Sequence, residues 1–274
     1  MRLAVFGKPV IHSLSPRIHG LFADQCGLKI EYRAIEATPE TFPGLVAGLA
    51  QSGGRGCNIT APLKHEAWKL AGRCSESASR ARAANTLVFD GPGNFYADST
   101  DGMGLVNDLN SLPGCRLSGA RICLLGAGGA AASVLGALLG VRPAIVYIAN
   151  RTRSRAVELA RSHSGLGKLD FGTPADLDTV APFDLIINAT SLGHGGDAPA
   201  LSPAWFTSRG FCYDMNYADA ARPLQALCRK EGIPYSDGLG MLVGQAALSF
   251  SLWTGQTPDT ASVLEELRTG PAGY

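Results

Sequence analysis

The chain has 274 residues, 46% of them apolar, enough for one large core or two ordinary ones. Its 24 lysines and arginines balance 23 aspartates and glutamates, so no basic face for nucleic acid is implied, which still leaves room for a local cationic pocket. Seven cysteines, an odd count without a C-x-x-C pair, argue against a zinc framework or a disulfide scaffold and for reduced thiols in a cytoplasmic protein.

The opening "MRLAVFGKPV" has only five apolar side chains before Gly7 and Lys8, too few for a signal peptide. "LAVFG" (3–7) predicts a short buried strand. "SPRIHGLFADQCG" (15–27) predicts a helix with Ser15 as N-cap, Pro16 in the first turn and Gly27 as stop. "IEYRAIEA" (30–37) alternates like a strand, and "PETFPGLVAGLAQSGG" (39–54) reads as a helix closed by glycines. "GCNITAPLKHEAWKLA" (56–71) then predicts a strand and a helix opened by Pro62, whose missing N–H would be unpaired there anyway. Leu63, Ala67, Leu70, Ala71 and Cys74 recur at helical spacing as one apolar stripe. Lys64 therefore falls in a first turn, where the macrodipole disfavours a cation by roughly a few tenths of a kcal/mol. Such a lysine either points into water or is held there for the chemistry of its amine. The first hundred residues thus read βαβαβα, a mostly parallel sheet covered on both faces.

A new unit begins near residue 102. "ARICLLGAGGAAASVLGALLG" (120–140) is an apolar strand, a glycine turn and a long helix of small residues. "AIVYIAN" (144–150), "FDLIINAT" (183–190) and "GFCYDMNY" (210–217) read as further strands, with "TRSRAVELARSHSG" (152–165) as a helix. The richest apolar run, 130–148, is broken by Arg142 and Pro143, so no membrane span is expected. "GLGMLVGQAALSFSLWTG" (238–255) is apolar nearly all round, so it should be a buried helix, and it need not belong to the second sheet. The tail from Thr257 reads as an amphipathic helix with a frayed "GPAGY" end.

"GAGGAA" (126–131) lies between a predicted strand and helix, the setting that gives G-x-G-x-x-G/A its meaning. Gly126 permits the tight turn, Gly128 lets the backbone approach a pyrophosphate, and Ala131 permits close helix packing. The next strand ends in "NRTRSR" (150–155), which has no acid to take a ribose hydroxyl. Arg151 and Arg155 are four apart and, with the Thr152 hydroxyl, suit a 2′-phosphate. NADP(H) is therefore preferred over NAD(H). Ser13 and Ser15, two hydroxyls pointing the same way if extended, offer a small carboxylate site beside a helix N-terminus, or Ser15 merely caps. Asn85, with Thr86 beside it, stands at the mouth of an apolar strand and Asp101 before a glycine turn. Either residue could be ordinary turn chemistry, but with Lys64 both flank strands of the first unit, where side chains converge at a sheet's carboxyl end. The five histidines do not cluster as ligands, and no metal is expected.

With those residues placed, the chain resembles the shikimate dehydrogenase family over nearly its whole length. The matching segments are "FGKPVIHSLSPRIH", "NITAPLK", "AANTL", "DSTDGMG", "GAGGAA", "NRTRSR", "NATSLGHGGD", "YDMNY" and "DGLGMLVGQAA", in that order. The resemblance implies an α/β fold of two α/β domains with the active-site cleft between them. An N-terminal substrate-binding domain with a mostly parallel sheet would take residues 1–101 plus 238–274, and a Rossmann-like NADP-binding domain residues 102–237. It implies reversible reduction of 3-dehydroshikimate to shikimate by NADPH, in the pathway to chorismate and the aromatic amino acids. Lys64 and Asp101 would be the catalytic pair. Ser13, Ser15, Thr60, Asn85, Asp101, Tyr217 and Gln245 would bind substrate. Gly126, Ala127, Gly128, Gly129 and Ala130 would cradle the cofactor pyrophosphate, Asn150, Arg151, Thr152 and Arg155 its 2′-phosphate, while Met215 and Gly238 would lie by the nicotinamide. Glu76 matches a position implicated in some members. Ser99 departs from the family's usual Asn and Ala61 from a common Val, which touches local packing only. The expected partners are the small-molecule substrate and no nucleic acid or membrane, with the chain acting as a monomer or homodimer. A quinate/shikimate dehydrogenase using NAD would show an acid after the second strand, or a bulkier residue in place of one serine. A methylenetetrahydrofolate dehydrogenase would not explain Ser13, Ser15 and Gln245 together, and a non-catalytic NADP-binding regulator would not need Lys64 with Asp101.

Overall fold

The computed structural model describes residues 1–91 and 93–270. Elements alternate as the apolar pattern requires. Strand β1 (Arg2–Gly7), helix α1 (Ser15–Gln25), β2 (Glu31–Glu36), α2 (Phe42–Gln51), β3 (Gly54–Ile59) and α3 (Lys64–Leu70) come first. Next are β4 (Arg73–Cys74), α4 (Glu76–Ala81), β5 (Thr86–Phe89), β6 (Phe95–Asp98) and α5 (Asp101–Ser111). The second series runs β7 (Arg121–Leu125), α6 (Gly129–Gly140), β8 (Ile145–Ala149), α7 (Arg153–Ser162) and β9 (Leu169–Gly172), then α8 (Leu177–Val180) and β10 (Phe183–Asn188). It continues with β11 (Phe206–Asp214), α9 (Arg222–Glu231) and β12 (Tyr235–Ser236), and the chain ends in α10 (Leu239–Thr254) and α11 (Thr260–Thr269).

The chain divides into two compact units, Met1–Gly104 with the residues from Val243 onward, and Leu105–Leu242. Both divisions fall inside helices, α5 and α10, a few residues later than the sequence reading placed them. The first unit holds a sheet of order β2-β1-β3-β5-β6-β4. Pairing is parallel for β1 with β2 and β3 and for β4 with β6, but β5 runs antiparallel to both β3 and β6. The expected βαβαβα regularity stops there because β5 and β6 are joined by a tight hairpin, with Asp90 N–H donating to Asn94 O at 3.0 Å. Phe6, Phe42, Val46, Leu87 and Phe95 fill the space between sheet and helices.

The second sheet is parallel throughout, in order β12-β11-β10-β7-β8-β9. Renumbered within the unit, that is the doubly wound dinucleotide-binding order, with the crossing point between β7 and β10. Ile122, Leu124, Ile148 and Ile187 meet Val134, Leu135 and Leu138 of α6, and burying each such side chain is worth about 1.5–3 kcal/mol.

Several local readings are corrected. Helix α1 is capped by Leu14, not Ser15, which is already its first residue. Pro62 does not open α3, because the helix begins at Lys64 after N-cap Leu63. The stripe also ends early: Ala71 is extended, and Cys74 lies exposed on β4. "DGMG" is the first turn of α5, not a glycine turn. Strands β4, β9 and β12 and helices α4 and α8 were too short for periodicity to reveal. The "GPAGY" end falls, apart from Gly270, outside the described residues. Among the described residues, no helix is long and apolar enough to cross a membrane and no cluster of His, Cys, Asp and Glu could hold a metal.

Candidate active site

In the first unit, β3 ends at Ile59 and the chain turns at Thr60, whose N–H donates to Phe6 O at 2.8 Å. A Cβ on Gly7 would collide with Thr60 Cγ2, so β1 needs glycine beside this turn. The turn delivers Lys64 at the head of α3, and its Nζ donates to Asp101 Oδ2 at 2.6 Å. The Lys64 side chain is 22% exposed and that of Asp101 9%, so the pair is screened far less than a surface ion pair. Asp101 opens α5, where the positive end of the macrodipole favours a carboxylate.

Asn85, just before β5, locks this arrangement. Its Oδ1 accepts the Thr100 N–H at 2.9 Å, which can only donate, so the amide nitrogen must face the other way. That nitrogen donates to Asp101 Oδ1 at 2.9 Å and to Gln245 Oε1 of α10 at 3.0 Å. Both carboxylate oxygens of Asp101 therefore accept, one from an ammonium and one from an amide.

Ser13 and Ser15 do not flank an extended run, because Leu14 between them is helical (φ −76°, ψ −9°). Ser13 Oγ instead accepts the Ser15 N–H at 3.2 Å, and the buried Ser15 opposes the rise that burial gives the Tyr32 phenol pKa. The structure thus joins Lys64, Asn85, Asp101 and Gln245 directly, while Ser13 and Ser15 bond each other. Tyr217 belongs to the second unit, half-buried, with burial pushing its phenol pKa up.

There, Gly126 has φ +105°, and a Cβ on it would approach Ala189 O to 3.1 Å, so the turn requires glycine. Helix α6 follows with Gly128 as N-cap and no side-chain cap, leaving its first N–H groups without one. A Cβ on Gly128 or Gly129 would meet nothing within 4 Å, so the backbone is open to an approaching anion. Asn150 braces the loop, accepting Ala127 N–H at 3.1 Å and donating to Thr152 O at 2.9 Å. Arg151, Thr152 and Arg155 are exposed beside it. Arg151 and Arg155 do not share a helical face despite their four-residue spacing, since α7 starts only at Arg153 and Thr152 is extended. Arg153 is committed elsewhere, to Asp176 at 3.4 Å and over the Phe171 ring.

Met215 N–H donates to Asn188 O and Gly238 N–H to Asn216 O, both at 2.9 Å, and a Cβ on Gly238 would collide with Met215 O. Beneath them Asp214, fully buried, accepts from Asn188 and Asn216. Glu76 is exposed and pairs with Arg80 one turn on, while Ser99 Oγ is buried without a partner. Asn58, Thr100, Ser249 and Asp214 were not singled out from sequence, whereas Thr86 was, beside Asn85. One signal was available: Gln245 and Ser249 are polar residues one turn apart on a largely apolar helix.

A doubly wound nucleotide-binding sheet and a separate amine–carboxylate pair braced by amides define a dinucleotide-dependent α/β enzyme class. Comparisons with known proteins are specific about which. Family models match at residues 5–87 (shikimate dehydrogenase substrate binding domain), 109–194 (shikimate / quinate 5-dehydrogenase) and 238–268 (shikimate 5′-dehydrogenase C-terminal domain). The NADP(+) shikimate dehydrogenase of Chromohalobacter salexigens is 48% identical, covering 97% of both chains. That of Marinobacter nauticus is 46% identical over 97% of this chain and 98% of its own. Among solved structures, shikimate 5-dehydrogenase from Thermus thermophilus in complex with NADP(H) and shikimate is 32% identical with a TM-score of 0.84, covering 97% of each chain. An Ael1 enzyme from Pseudomonas putida reaches 0.87 at 39% identity, with the same coverage. The chain belongs to the shikimate dehydrogenase family.

Proposed function

We propose that the protein catalyses the reversible, NADP-dependent interconversion of 3-dehydroshikimate and shikimate, an oxidoreductase step at a CH–OH group on the way to chorismate and the aromatic amino acids. The observation that carries this reading is the cluster of Lys64, Asp101, Asn85 and Gln245. It offers a ring hydroxyl or ketone a charged donor and a fixed set of amides. Full-length relatives named as NADP(+) shikimate dehydrogenases support the same substrate and cofactor.

The second unit fits the cofactor. Open backbone at Gly128 and Gly129 and the uncapped start of α6 suit a pyrophosphate, with Ala127 and Ala130 completing the loop. Arg151 and Arg155, exposed and without a carboxylate partner among the described residues, together with Thr152 suit the 2′-phosphate. Asn150 holds the loop in shape. Met215 and Gly238 would hold the nicotinamide end, and bound NADPH supplies the hydride.

Lys64 is the immediate proton donor in this scheme. An ammonium has three N–H groups, of which one is held by Asp101 and the others are free to meet the developing alkoxide. Asp101 cannot serve, since each of its oxygens already accepts from an obligate donor, and its part is to orient Lys64. Ser13, Ser15, Thr60 and Tyr217 would hold the carboxylate and the remaining hydroxyls. The seven free thiols suit a reducing cytoplasm, where the chain would act as a monomer or homodimer.

The test is reduction of NADP⁺ followed by absorbance with shikimate, repeated with quinate and with NAD⁺. Turnover should be fastest with shikimate and NADP⁺. No turnover of shikimate with either cofactor would sink the reading.

A further inference from the structure

Beneath the Lys64–Asp101 pair lies a buried polar layer that the mechanism does not use. At its centre is Asn58 on β3, 5% exposed. Its Nδ2 lies 3.1 Å from Asn85 O, 3.2 Å from Thr86 Oγ1 and 3.0 Å from Ser249 Oγ on α10. A carbonyl can only accept, so the Asn85 contact fixes which end of the amide is nitrogen. The Asn58 oxygen then faces Tyr32 Oη at 2.7 Å and His19 Nε2 at 3.1 Å, and both must donate to it.

His19 bears this out chemically. It is fully buried, stacked on Tyr32 at 4.4 Å between ring centres. Burial pushes its pKa down to about 3 against the opposing bond from Asn58, so the ring is neutral. Its Nδ1 is buried without a partner, which costs less as a bare lone pair than as an orphaned N–H. The hydrogen therefore sits on Nε2.

Directions follow outward. Tyr32 commits its proton to Asn58. On the other side Thr86 Oγ1 receives from Asn58 and donates to Asn85 Oδ1 at 3.1 Å, and the Asn85 amide donates to Asp101. We propose that Asn58 is a positioning residue for the reaction, one buried amide that sets the sense of the hydrogen-bond chain between Tyr32 and Asp101. It accepts on the side of Tyr32 and His19 and donates on the reacting side. The kinetic consequence rests on the function proposed above, whereas the sense of the chain does not.

Asn58→Asp tests it with little change of shape. The oxygen facing Tyr32 and His19 stays, while the donor to Asn85, Thr86 and Ser249 becomes an acceptor. The expected result is a fall in kcat of about 10- to 100-fold, the effect of unpairing buried groups in a charged site. The KM for shikimate should rise several-fold and that for NADP⁺ stay within about twofold, since the cofactor loop belongs to the second unit. Asn58→Ala should give the same split. Variants that melt as folded proteins yet keep kcat and shikimate KM within twofold overturn the proposal. So does a loss of turnover matched by loss of titratable active sites with both KM values unchanged. If neither variant folds, or if the wild type turns over no shikimate and the functional reading falls, ¹⁵N resonances of the His19 ring in the unaltered protein still decide. A neutral Nε2–H tautomer is expected, and an Nδ1–H tautomer reverses the chain and ends the argument.

Discussion

In the first unit Asn85, Asp101, Thr100 and Gln245 bond one another in a layer from which water is nearly excluded. In the second, Gly128, Gly129 and Ala130 are exposed, α6 has no side-chain cap, and Arg151 and Arg155 stand in solvent. Such groups are costly only when buried unpaired, so the open loop is stable while it waits for a ligand, whereas the buried cluster had to be completed by the protein itself. Damage to the first region should therefore appear in the chemical step and damage to the second in cofactor affinity.

The sharpest break in that contrast is Lys64→Ala. Turnover of shikimate should fall about 10²- to 10⁴-fold, the loss expected for a general acid, with KM changed far less. Steady-state kinetics check it, and near-normal kcat would take Lys64 out of the chemistry. Asp101 would then be an anion with no proton donor to orient, and the buried layer would be scaffolding.

Next comes the phosphate contact. Arg151→Ala with Arg155→Ala should raise KM for NADP⁺ by about 10-fold or more, since charged hydrogen bonds are worth about 1.5–3 kcal/mol each. NAD⁺ should be little affected. Because the two arginines are not on one helical face, the single variants sharpen the point: each should weaken NADP⁺ by itself. An unchanged ratio of NADP⁺ to NAD⁺ efficiency would remove the phosphate clamp.

What could be read from the chain alone follows the same division. Lys64, Asn85 and Asp101 sit in short segments beside strands, and the glycine turn lies between a strand and a helix, so local pattern placed them. Asn58 and Ser249 were not legible as partners because they are 191 residues apart, and a serine in an apolar helix has no local mark of what it bonds. Spacing alone put Arg151 and Arg155 on one face, but α7 starts only at Arg153, after the extended Thr152 that ends the loop. The β5–β6 hairpin was missed because period-two alternation is the same in parallel and antiparallel strands. Asp214 could be seen only as part of a matching segment, since nothing in "YDMNY" says that its carboxyl is fully buried.

That carboxyl yields the smallest expected effect and tests whether the second unit has a closed polar layer of its own. Burial raises the Asp214 pKa from the ordinary 3.8 to about 6, against opposing bonds from Asn216, Asn188 and Tyr235. A folded-state value above the unfolded one means that the group favours folding fully below about 3.8, and that this advantage is lost as pH rises through about 6. Asp214→Asn keeps an oxygen toward Asn188 and Asn216 and turns an amide toward Tyr235, whose hydroxyl can donate to Ala221 O at 3.3 Å instead. Relative to wild type the variant should therefore gain about 1–3 kcal/mol between pH 4 and pH 8, read from denaturant unfolding at each pH. The opposite trend, with wild type gaining as pH rises, would mean that the converging donors outweigh desolvation. Asp214 would then be an anion stabilised in the manner of Asp101, and the contrast between the two units would shrink to the glycine loop and its arginines.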